Sequence, residues 1–240
     1  TTWNQQAYLK ASNTENSDAF GSAVSVSGDT VVVGAHEEDS NATGVNGDEE
    51  DNSEGFSGAA YVFTRSGTIW SQQAYLKASN SGSIDQFGSA ISLSGNTLVV
   101  GAFGESSNAT GTNGNQADDY LYFASGAAYV FTRSGTTWSQ QAYLKASNTG
   151  SEDYFGWAVS VDGNRLVIGA DEESSNATGV NGDGTNNTGY ISGATYIFST
   201  TPIFTDVSFS YWANTYIERL FNAGITGGCG TGIYCPDNSV

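Results

Sequence analysis

Oxygen-rich side chains recur at fixed positions along this chain, and their chemistry is that of hard-cation binding. The stretch HEEDSNATGVNGDEEDNSEGFS holds eight acids between Glu37 and Glu54. Glu38, Glu105 and Glu173 occupy one recurring position; Asn41, Asn108 and Asn176 occupy a second; Asn46, Asn113 and Asn181 a third. Asp48, Asn115 and Asp183 fill a fourth, and Asp18, Asp85 and Asp153 a fifth. A cation such as Ca²⁺ takes six to eight oxygens from carboxylates, amides and carbonyls, and these positions offer that ligand set. Asn, Asp and Gly also cap their own backbone in turns, so loop structure is the competing account. Asp18, Asp85 and Asp153 fit the second role equally well, as acceptors for backbone N–H groups.

Other chemistry is sparser. Asn41, Asn108 and Asn176 each begin Asn-Ala-Thr, and Asn186-Asn187-Thr188 adds a fourth acceptor sequon for N-glycosylation. His36 is the one histidine, so a second imidazole cannot join it on a metal. No Gly-x-Ser-x-Gly elbow is present, and near-symmetric repeats are a poor setting for an asymmetric catalytic site. The expectation is a protein that is not an enzyme. The alternative is a glycan-binding or glycan-hydrolysing module, for which acids are abundant and Tyr120, Tyr122 and Trp157 are unique to their repeats.

The elements that must position these residues are repeats. QQAYLKASN occurs at 5–13, 72–80 and 140–148, a period of 67 and then 68 residues. Each copy is followed by Phe-Gly (20–21, 87–88, 155–156), by Gly-Ala (34–35, 101–102, 169–170) and by Tyr-x-Phe (61–63, 129–131, 196–198). Such self-similarity means one supersecondary unit reused side by side. In the first unit, Phe20 to Val26 alternates small-polar with apolar, Ser27-Gly28-Asp29 turns, and Thr30 to Ala35 is a β-branched run buried on both faces. Ala59 to Thr64 and Trp70 to Ala78 supply third and fourth strands. Four short antiparallel strands per unit predict an all-β chain of three propeller-type blades, at about 1–67, 68–135 and 136–201. A β-solenoid, with its shorter period, fits less well.

Asp-x-Phe-Gly, Gly-Asp/Asn-x-x-Val-Val-Gly-Ala and Gly-Ala-x-Tyr-Val/Ile-Phe together resemble the FG-GAP repeat of integrin-α-type β-propellers, in its short bacterial version, over residues 1–200. That family carries an Asp-x-Asp-x-Asp-Gly calcium loop between its first two strands. Here the place holds only Ser27-Gly28-Asp29, Ser94-Gly95-Asn96 and Asp162-Gly163-Asn164, so the family's calcium site does not carry over.

The net charge of −18, with seven Lys and Arg against 25 Asp and Glu, excludes nucleic acid and anionic membranes as partners. No apolar run is long enough to span a bilayer, and the lack of methionine reads as a mature, processed chain. The expected location is extracellular or on a cell surface. After Pro202 the pattern changes. Trp212, Tyr216, Ile217, Leu220 and Phe221 have helical spacing, ended by Gly224, which predicts a small helical segment over part of 202–240. Phe204-x-Asp206-Val207, Trp212-Ala213, Ile217-Glu218-x-Leu220 and Gly224-Ile225-Thr226-Gly227 resemble the first half of an S-layer homology module, which implies attachment to cell-wall glycan. Cys229 and Cys235 read as a disulfide outside the cell, or as two thiols in a reducing compartment.

Propellers close with about four to eight blades, and three fall short. The strand copy at Trp3 to Ala11 precedes the first Phe-Gly, while the third unit has no fourth strand after Phe198. The expectation is self-association, in which Trp3, Ala7 and Leu9 of one chain complete the last blade of another as a ring or head-to-tail filament. A longer chain that closes its own ring is the competing reading, as is adhesion to other surface proteins.

Overall fold

The computed structural model describes residues 2–118 and 120–200; the predicted tail helix, the S-layer-like segment and Cys229 and Cys235 lie outside them. Eleven strands among these residues make three antiparallel sheets. The first is β1 (Val24–Ser27), β2 (Thr30–Ala35), β3 (Ala59–Ser66) and β4 (Ile69–Leu76), in that order. The second repeats it with β5 (Ala90–Ser94), β6 (Thr97–Ala102), β7 (Ala127–Ser134) and β8 (Thr137–Leu144). The third has β9 (Phe155–Asp162), β10 (Arg165–Ala170) and β11 (Ala194–Ser199) only. A 3-10 turn spans Tyr120–Tyr122.

The central strands are the β-branched and Ala-Tyr-Val-Phe runs, and both are buried almost throughout. Ser27 pairs with Thr30 across a two-residue turn in which Gly28 takes φ +58°, a conformation that costs glycine nothing. Between β3 and β4 the register slips after Val62, leaving Gln73 unpaired, and Gln141 is the extra residue in the second sheet. The bulge lets Ala74 and Leu76 face one core while Tyr75 faces another. One core joins the first two sheets through Val62, Leu76, Ala78, Phe87, Leu98 and Val100.

Adjacent sheets meet through glycine. A Cβ on Gly34 would collide with the carbonyl oxygen of Gly88, and one on Gly101 with that of Gly156. The Gly-Ala pair of one repeat is therefore the floor on which the Phe-Gly pair of the next repeat rests. Gly169 has no such neighbour: its nearest contact would be Ala158 Cβ at 3.6 Å, in its own sheet. Hydroxyls also cross the seam, with Leu93 N–H donating to Ser25 Oγ and Val161 N–H to Ser92 Oγ, both at 3.0 Å.

The segment Trp3 to Ala11, expected as a strand, is in no sheet, because no three-stranded sheet precedes it among the described residues. Trp3 is 97% and Tyr8 80% exposed. Ala11 and Asn13 are buried, Leu9 packs on the core of the first sheet, and Arg65 Nη1 donates to Gln6 Oε1 at 3.1 Å, so side-chain contacts, and no strand ladder, hold the segment. Phe20-Gly21 and Phe87-Gly88, expected to open strands, form turns instead, with Ala19 and Gln86 at φ +56° and +58°.

Candidate functional site

Each loop between the second and third strands of a repeat buries one glutamate, and in the first two repeats the residue just past the fourth strand is a lysine that reaches it. In the first repeat Lys77 Nζ donates to Glu38 Oε2 at 2.8 Å and to Ser57 Oγ at 2.7 Å, while Tyr75 OH donates to Glu38 Oε1 at 2.7 Å. Asn13 Nδ2 adds a bond to Glu38 Oε1 at 3.1 Å, and Ser40 N–H one to Oε2 at 3.2 Å. Ser57 Oγ in turn donates to the carbonyl oxygens of Glu38 and Ser40. The second repeat copies this: Lys145 Nζ lies 2.7 Å from both Glu105 Oε2 and Ser125 Oγ, and Tyr143 OH lies 2.6 Å from Glu105 Oε1. Both ion pairs are closed to solvent. Burial pulls the Lys77 and Lys145 ammonium groups below the usual lysine range, and the facing glutamates pull them back up. The same burial and the same glutamates push Tyr75 and Tyr143 far above the phenol range.

The loop also seizes the strand by its backbone. Asn46, at φ +55°, accepts from Tyr75 N–H through Oδ1 at 3.0 Å and donates its own N–H to the Tyr75 carbonyl at 2.8 Å. Asn113 does the same to Tyr143 at 2.9 and 2.8 Å. In the third repeat Glu173 is 1% exposed and Asn181 holds φ +56°, with Asn148 Nδ2 and Ser175 Oγ on the glutamate at 2.7 and 3.0 Å. Among the described residues no lysine and no second tyrosine reaches Glu173.

The other expected ligands serve their own loops. Asp18, Asp85 and Asp153 each accept from the backbone N–H three residues earlier (Glu15, Gly82, Gly150) at 2.7–2.9 Å. Burial raises all three above the usual carboxylate range; Asp85, repelled also by Glu105 and Asp118, is pushed up to about 8. Asp48, Asn115 and Asp183 each cap the N–H two residues on. Asn41, Asn108, Asn176 and Asn186 are exposed on the loops, with Asn176 Nδ2 bonded to Thr188 Oγ1. The oxygens of Glu38, Glu105, Asn46 and Asn113 are thus taken by protein donors. Among the described residues no group of three or more His, Cys, Asp and Glu side chains is arranged to hold a metal ion. The place of the family's calcium loop is the Gly28-Asp29 hairpin, where Asp29 is held by Arg65.

Of the residues weighed for glycans, Trp157 is half exposed and packs at a tilt against Phe103, 4.8 Å between ring centroids, and against Tyr154 at 6.2 Å. With His36, Ser22 and Ser89 the Phe103–Trp157 pair lines a cavity of about 170 Å³. Tyr122 lies in the Tyr120–Tyr122 turn and does not line that cavity.

Sequence reasoning passed over Lys77, Lys145, Tyr75, Tyr143, Ser57 and Ser125. A signal was present: Lys10, Lys77 and Lys145 are three of only seven cationic residues, and all stand at one repeat position.

A family model described as FG-GAP repeat matches residues 3–63, 70–131 and 138–198. Comparison with curated proteins found no match. The matched repeats stop at 198, so the S-layer resemblance of residues 202–240 rests on their sequence alone.

Proposed function

This chain belongs to the FG-GAP repeat family, and from that premise we propose that it is a non-catalytic interaction module of the cell exterior whose incomplete blade array is completed by another polypeptide. One observation carries the reading: among the described residues, a third sheet of three strands coexists with a copy of the fourth-strand sequence that joins no sheet. Exposed sheet edges and apolar faces recruit partners, because strand addition satisfies backbone groups and buries side chains together. Ile197 on β11 is 74% exposed, whereas its counterparts Val62 and Val130 are buried. The charge of −18 supports an extracellular, soluble surface, and the tail's S-layer resemblance supports a tie to wall glycans. Light scattering over a dilution series tests the reading. Mass above one chain at high concentration that falls on dilution is expected, and a single chain at every concentration would refute it.

A second reading has its own observation. The half-exposed Trp157, packed at a tilt against Phe103 beside His36, is the kind of aromatic platform on which a sugar ring can lie. Quenching of tryptophan fluorescence by oligosaccharides, lost in Trp157→Ala, tests it.

A further inference from the structure

We propose that residues 2–21 of a second copy of this chain dock on the third sheet, seating Lys10 on the buried Glu173. The inference rests on the completion reading above and names the partner and its register. Residues 2–21 correspond to 69–88 and 137–156, the two segments that complete the first and second sheets and then start the next. Three independent half-sites on the third repeat match that segment.

The first is the ion pair. Glu38 has Lys77 and Glu105 has Lys145, while Glu173 has the same asparagine and serine and no cation. Lys10, the third member of the lysine series, is exposed and in no ion pair among the described residues. Tyr8 beside it corresponds to Tyr75 and Tyr143, which donate to those glutamates. A carboxylate this buried is costly to leave uncompensated, and a lysine on a matching strand supplies the charge.

The second is the backbone clamp. Asn181 already holds the positive φ of Asn46 and Asn113, and Val180 is 91% exposed where Val45 pairs with Leu76. Leu9 is the residue that would meet Val180.

The third is the seam between sheets. Ile84, Gln86 and Phe87 donate their N–H groups to the carbonyls of Gly55, Phe56 and Ser57, and Glu152, Tyr154 and Phe155 to those of Phe123, Ala124 and Ser125. The N–H groups of the corresponding residues, Ser17, Ala19 and Phe20, make no such bond among the described residues, and the corresponding acceptors are Tyr190, Ile191 and Ser192. Ser17 and Ala19 already hold φ +74° and +56°, close to +69° and +58° at Ile84 and Gln86. Donor and acceptor halves are both formed in advance. Gly169 is the open floor on which Gly21 of the second copy would rest. Two copies supply six blades, inside the range of about four to eight in which propellers close.

Charge reversal tests the register. Lys10→Glu and Glu173→Lys, each alone, are expected to weaken association on the order of a hundredfold, as truncated buried interfacial charges do. Lys10 is exposed, so Lys10→Glu leaves the folding of the single chain untouched and its result stands even if Glu173→Lys folds poorly. Mixing the two variants in equal amounts pairs each reversed lysine with a reversed glutamate, and association is expected to return. Sedimentation should then give about twice the 25.0 kDa chain mass. Wild type and Lys10→Glu associating alike would overturn the register while leaving self-association standing. A chain carrying both changes restores the charge pair between copies and is expected to associate as well; variants that stay single on mixing, together with a double variant that stays single, would overturn the register. A wild type that never associates removes the completion reading itself.

Discussion

Lys77 Nζ and Glu38 Oε2 sit 2.8 Å apart with neither side chain open to water, and the two residues lie in different elements 39 positions apart. The pair fastens β4 to the loop that follows β2, so the fourth strand is held by charge as well as by its ladder with β3. Breaking one partner leaves a buried charge unanswered. Lys77→Met is expected to cost about 3–5 kcal/mol, and Lys77→Met with Glu38→Gln considerably less. Urea denaturation of the two variants and Glu38→Gln, read as a double-mutant cycle, measures the coupling.

Asp85 gives a pH signature. Its carboxyl is raised from 3.8 to about 8 by burial and by Glu105 and Asp118, so the folded state holds this proton more tightly than the unfolded chain. Its contribution is fully present below pH 3.8 and is lost as pH rises toward 8. The stability of the wild type is expected to fall over that window, by at most ~1.4 kcal/mol per pH unit from this group. Asp85→Asn keeps an oxygen for the Gly82 N–H and should flatten the slope, ending more stable than wild type at pH 8. An unchanged slope would rule out Asp85 as its source.

Gly101 and Gly169 should answer differently to one methyl group. Gly101→Ala drives a Cβ into the Gly156 carbonyl and is expected to destabilise the chain by about 2 kcal/mol or more. Gly169→Ala meets only Ala158 and should leave the single chain's melting within about 0.5 kcal/mol of wild type while weakening self-association. Equal melting losses in both would show that the third floor is already covered.

Cation binding is tested by melting with chelator and with Ca²⁺. With Glu38, Glu105, Asn46 and Asn113 occupied by protein donors, the midpoint is expected to move by less than about 2 °C. A rise of several degrees with Ca²⁺ would assign the loop oxygens to a metal after all.

The repeat, the strand runs and the three-stranded third sheet were legible because period, β-branched runs and turn glycines are local signals. The site was not, because its meaning lies in pairing across 39 residues. Glu38 read as a cation ligand since a sequence shows a carboxylate's type and not what faces it. Lys77 drew no notice because one lysine in an acidic chain looks like a solvated charge. Trp3 to Ala11 read as a strand by composition, yet a strand exists only where another offers its edge; that condition, not propensity, leaves the segment unpaired. The turns at Ala19 and Gln86 were hidden too, since positive φ at a non-glycine residue has no signature in residue type.

The phase of the repeat has an evolutionary consequence. The unit that a gene duplicates, about 67 residues, is not the unit that folds, because each copy's opening strand belongs to the sheet before it. Gaining or losing one copy changes how many sheets a chain contains but creates no new kind of seam. Repeat number could therefore drift through duplication while the seam between successive sheets stayed constant.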